Sequence, residues 1–93
     1  MNKDCVIDLM KKIYPGQAIS DETVDEFLKI FKELSDREQA VLNLKYGLVD
    51  GVQASFDEVA ETYGVTREKI EKMTSAAFKK LRHPTRSKKL FNS

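Results

Sequence analysis

The amino-acid sequence predicts an all-α fold, a compact multi-helix domain closing in a C-terminal helix-turn-helix. Three observations predict it. Apolar residues recur three and four apart, and no stretch alternates as a strand would. Two Ser-x-x-Glu boxes, "SDRE" at Ser35–Glu38 and "SFDE" at Ser55–Glu58, mark helix starts. A tight turn at "YGV", Tyr63 to Val65, separates a short helix from a longer and more basic one.

The spacing predicts a first short helix over residues 3–13, with Val6, Leu9, Met10 and Ile13 on one face. "YPG", Tyr14 to Gly16, ends it, because proline and glycine both interrupt a helix. Ser20 reads as the next N-cap, and Asp21 and Glu22 place negative charge in the first turn, where the helix dipole favours it. Val24, Phe27, Leu28, Phe31 and Leu34 form the buried face of this second helix, and its acidic outside would repel DNA. "SDRE" starts a third helix that turns Ala40, Val41, Leu44 and Leu48 to the core, with Gly47 at C′. "VDG", Val49 to Gly51, is a turn. "SFDE" opens a fourth helix with Phe56, Val59, Ala60 and Tyr63 inward, and Gly64 supplies the positive φ of the turn after it. Thr66 caps the longest helix, Thr66–Arg82, whose Ile70, Met73, Ala77 and Leu81 face the core. Pro84 stops it. The chain divides into residues 1–19, a short helix and linker, and residues 20–93, the helix-turn-helix domain.

Ninety-three residues, 41% of them hydrophobic, make one domain with a modest core. The single cysteine, Cys5, excludes an internal disulfide and a cysteine-based zinc site, and fits a reducing compartment. No apolar run approaches the length of a membrane span, and acids interrupt the N-terminal apolar stretch, so the expected location is the cytoplasm. His83 stands alone, with no second histidine or cysteine at ligand spacing. No nucleophile–base pair, Gly-rich phosphate loop or paired carboxylates in an apolar setting appear. The expectation is no enzyme, no metal and no cofactor.

The net charge of +1 hides a strong polarity. Residues 65–93 hold nine Lys/Arg against two acids, whereas residues 1–64 hold seven against thirteen. Such asymmetry points to a C-terminal face for a polyanion. With Ile70, Met73, Ala77 and Leu81 inward, the opposite face of the last helix presents Arg67, Glu68, Glu71, Lys72, Ser75 and Lys79. In helix-turn-helix proteins the first residues of the second helix reach base edges in the major groove. Arg67 suits a bidentate contact to guanine, and Glu68 suits the amino group of cytosine. Lys72, one turn on, reaches a base or a phosphate. Glu71 can only accept, from a cytosine or from Arg67 at i,i+4. Thr66 and the free amides at the helix start suit a phosphate, as do Lys79, Lys80, Arg82 and Arg86. Plainer roles stay open: Glu68 with Lys72 stabilises any exposed helix, and the terminal cations complement its dipole.

"LSDREQAVLNLKYGLVDG", "SFDEVAETYGVTREKI" and "KKLRHPTRSKKL", in that order, resemble region 4 of a bacterial primary-type sigma factor over about residues 34–90. The resemblance implies a helical domain that reads the minus-35 promoter element on double-stranded DNA and grips the flap of the RNA polymerase β subunit. By position it places Arg67, Glu68 and Lys72 at bases, with Glu71 beside them, and Arg37, Lys45 and Thr66 at the backbone. Phe31, Leu34, Val41 and Leu44 fall in the part that meets the flap. This sequence departs from the family in three ways. Glu71 replaces a usual basic residue and Lys72 a glutamine. "TSAAF" lacks the charged pattern that activators contact. Residues 1–33 are too few for region 2, which melts promoter DNA. The expectation is a stand-alone DNA-binding transcription factor acting with polymerase, or half of a split sigma factor whose region 2 is on a separate chain. The opening "MNKDCVIDLMKKIYPG" favours a complete gene product over a fragment. The alternative is an interaction module that docks on the flap without sequence-specific DNA binding, which Glu71 and the acidic first two-thirds favour.

Overall fold

A computed structural model describes residues 1–91, and its regular elements are six α-helices: α1 (Lys3–Ile13), α2 (Asp21–Phe31), α3 (Asp36–Tyr46), α4 (Phe56–Tyr63), α5 (Arg67–Arg82) and α6 (Pro84–Phe91). No strand occurs among the described residues. Asn92 and Ser93, the last two positions of the expected 20–93 unit, lie outside them.

Each helix start has a side-chain cap for amides that lack an intrahelical partner. The Ser35–Glu38 and Ser55–Glu58 boxes form as expected, with serine and glutamate each accepting from the other's amide. Ser20 also makes a reciprocal box, but with Thr23. Asn2 caps α1 by accepting from the amide of Cys5.

Two apolar clusters hold the helices. The larger takes Val6, Leu9, Met10 and Ile13 of α1, Val24, Phe27, Ile30 and Phe31 of α2, and Leu42, Tyr46 and Leu48 from α3 and its C-terminal turn. Ala77, Leu81 and Leu90 close it. The smaller sits inside the helix-turn-helix and consists of Val41, Val59, Ala60 and Ile70, with Phe56, Tyr63, Val65 and Met73 packed against it. Burying a side chain of this size contributes about 1.5–3 kcal/mol.

The expected buried stripes need two corrections. In α2, Ile30 is interior while Leu28 is half-buried. In α3, Leu42 is fully buried, whereas Leu44 remains 38% exposed. The cause is that α3 buries two faces: Val41 points to the small cluster, Leu42 and Tyr46 to the large one. A single amphipathic stripe does not describe such a helix.

The third correction is α6. Pro84 ends α5 but also opens the next helix, because proline at the first helical position gives up no hydrogen bond and brings its φ already set. His83, extended as a residue before proline should be, receives the amide of Thr85 on its Nδ1. α6 then returns Leu90 to the main core and Phe91 to the edge of the Tyr14 ring.

Polar ties join sequence-distant parts. The Tyr14 hydroxyl donates to the Leu81 carbonyl at 2.7 Å. Arg82 donates from Nε to the Ile13 carbonyl at 2.8 Å, closing the C-terminal end of α1. Lys80 bridges to both carboxylate oxygens of Glu38, 2.9 and 3.0 Å away. The described part measures 40 × 24 × 22 Å. None of its helices is long and apolar enough to cross a membrane.

Candidate nucleic-acid interface

The site is built on the junction of α4 and α5. Gly64 ends α4 in the left-handed conformation (φ 64°), and the amide of Val65 reaches back to the Ala60 carbonyl at 3.0 Å. Thr66 then caps α5, its hydroxyl accepting from the Lys69 amide at 3.2 Å. Ile70, Thr74, Ala77 and Leu81 face inward. The opposite face is thereby fixed. Glu68, Glu71, Lys72, Ser75, Ala76 and Lys79 line a shallow open groove of about 460 Å³. A helix of sixteen residues extends about 24 Å, enough to lie along a major groove.

The charges on this face are mostly paired. Arg67 donates from Nε to Glu71 at 2.8 Å and from Nη1 to Asp57 at 3.3 Å. Lys72 meets Glu68 at 3.1 Å. Lys79 has no ion-pair partner among the described residues. The hydrogen bond to Glu71 and the charge of Asp57 raise the pKa of Arg67, so its cation is held firmly. Phe56 adds an aromatic floor: the Arg67 guanidinium lies 5.8 Å from its ring centre and the Lys45 ammonium 4.8 Å.

The structure therefore brings together Thr66, Arg67, Glu68, Glu71 and Lys72 at the start of α5, with Lys45 beside them on the Phe56 ring and Lys79 further along the groove. Arg37 is exposed in the first turn of α3. Two residues that the sequence reading did not single out join the site, Phe56 and Asp57. The signal is faint: Asp57 lies inside the "SFDE" box, and Phe56 has the spacing of a core residue.

Three basic residues expected at phosphates also have internal partners. Lys80 serves Glu38, Arg82 serves the end of α1, and Arg86 donates to Glu33 at 3.0 Å. Among the residues expected at the polymerase flap, Phe31, Leu34 and Val41 are interior, with at most 4% of their surface exposed. Leu44 alone of the four reaches solvent, because α3 spends its other apolar residues on two cores.

The geometry has a counterpart among known families. The family model described as "Sigma-70, region 4" matches residues 30–83, which run from the end of α2 through the whole of the helix-turn-helix.

Proposed function

Because the chain belongs to the sigma-70 region 4 family, we propose that it binds promoter DNA of the minus-35 type together with RNA polymerase, with the start of α5 in the major groove. The observation that carries this reading is the single exposed face of α5. It gathers donors and acceptors of the kinds that read base edges, Arg67, Glu68 and Lys72, immediately after a capped helix start. Arg37, Lys45, Thr66 and Lys79 supply the phosphate contacts that set register.

The polymerase contact falls to Leu44, with Val49 and Val52 exposed on the loop that follows. That loop is tied to α3 by the Ala54 amide on the Leu44 carbonyl. Leu44→Asp should weaken capture of purified β flap while circular dichroism shows the helical fold retained.

The pairing of Arg67 and Lys72 on the reading face supports a modest affinity. Binding to a randomised duplex pool, followed by anisotropy, tests the reading. Affinity should fall steeply between low and physiological salt, since cations then compete for the phosphates. A flat salt response, or no binding at low salt, would favour the polymerase-docking module without sequence-specific DNA binding. The split-factor arrangement has its own test. A pull-down with the full chain should then recover polymerase together with a second chain that carries region 2.

A further inference from the structure

How Arg67 is delivered to a base follows from its seat, an inference that rests on the DNA-reading role just proposed. A guanidinium offers a base two edges with paired donors, Nε with Nη2 and Nη1 with Nη2. In this protein Glu71 holds Nε and Asp57 holds Nη1. The side-on edge has therefore lost its Nε donor, and the end-on edge meets guanine only with the Asp57 carboxylate still beside Nη1, where it repels the O6 and N7 acceptors.

The two partners are not equivalent. The bond to Glu71 is 2.8 Å, within α5, to a side chain 45% exposed. The bond to Asp57 is 3.3 Å, across to α4, and ends on a side chain 70% exposed. Asp57 also lies in the first turn of α4, where the helix dipole steadies its charge after Arg67 has left. Breaking the Asp57 contact costs less on every count. It also clears the carboxylate from beside the end-on edge, Nη1 with Nη2, while Nε stays on Glu71.

We propose that Asp57 is a releasable latch on Arg67 and Glu71 its positioning residue. On docking, Nη1 leaves Asp57 and the end-on edge meets O6 and N7 of a guanine. Until then Arg67 and Lys72 are both neutralised on this face, which lowers its pull on any passing phosphate. Release is repaid fully only where two acceptors stand in register. The latch thus suppresses non-specific binding at the expense of some affinity for the specific site.

The test uses the full chain and the tightest duplex it recovers from a randomised pool. Copies of that duplex carry 7-deazaguanine, which lacks the N7 acceptor, at each guanine in turn. At one position the replacement should weaken wild-type binding about tenfold, and Arg67→Ala should be blind to it. Asp57→Asn should bind the unmodified duplex roughly two- to fivefold tighter, the scale of an exposed ion pair, and still discriminate. Glu71→Ala should lose most of the discrimination. In the free protein, the Arg67 Nε–H resonance should be slow to exchange in wild type and in Asp57→Asn, and fast in Glu71→Ala. The proposal is overturned if Asp57→Asn binds no tighter, or if Glu71→Ala discriminates as wild type does. Failure of the full chain to recover any duplex would sink the DNA-reading role itself, and the latch with it.

Discussion

Tyr14 shows how much one side chain can hold. Its hydroxyl donates to Leu81 across 67 positions of sequence, and its ring packs edge-on against Phe27 and Phe91. Burial pushes the phenol up to about 12, against the opposite pull of Arg82 and Arg86. The neutral phenol is therefore the form the fold prefers. Its contribution is complete below the ordinary tyrosine value of about 10 and is lost as pH rises from there toward 12. Ultraviolet titration should find Tyr14 ionising late, and unfolding should set in over the same range. Tyr14→Phe should remove that dependence, at about 1 kcal/mol for the lost hydrogen bond. Glu38 has the opposite sign. Burial pushes its carboxyl up, but Lys80 and the amide and hydroxyl of Ser35 outweigh that and hold it low. Its stabilisation is present above the ordinary carboxylate value and fades as pH falls through the depressed one. Glu38→Gln should cost about 1–2 kcal/mol at neutral pH and flatten acid unfolding below about pH 4. A melting series across pH checks both.

At the scale of elements, the two helix-ending glycines have near-identical backbones but unequal surroundings. Gly47 (φ 63°) and Gly64 (φ 64°) are both left-handed. A Cβ on Gly64 would meet nothing within 4 Å, whereas one on Gly47 would stand 2.8 Å from the Val52 backbone. Gly64→Ala should cost only the conformational term, about 1 kcal/mol. Gly47→Ala should cost clearly more, since backbone cannot step aside as a side chain can. Thermal melts of the two variants compare them directly. These glycines, the serine–glutamate boxes and the stripe of α1 were legible in the sequence because each depends on residues a turn apart. Leu42 and Leu44 were not. Which of them is interior depends on where two separate cores lie around α3, and that is a tertiary fact. α6 was hidden by Pro84, whose meaning as a stop or a start depends on the residues after it finding a core. In the candidate site, the Arg67–Glu71 and Glu68–Lys72 pairs follow from helical spacing. The Asp57 contact needs the α4–α5 crossing and has no sequence signature of its own.

For the molecule as a whole, α6 completes the core rather than trailing from it. Leu90→Ala should destabilise by roughly 2–3 kcal/mol, the lower part of the range for a leucine removed from a core, because Leu90 keeps 9% of its surface exposed. Guanidinium denaturation would measure it. The clasp of Arg82 on the Ile13 carbonyl has a consequence for the order of events during synthesis. An isolated helix of eleven residues is marginal in water. α1 is made before the helices that cover it, and the clasp that closes its end and part of the core beneath it come from residues some seventy positions later. During synthesis α1 therefore rests on the α2 and α3 part of its core until Arg82 arrives to close its end. A ribosome stalled before Leu81 would display α1 against an incomplete core, with its last carbonyls still open.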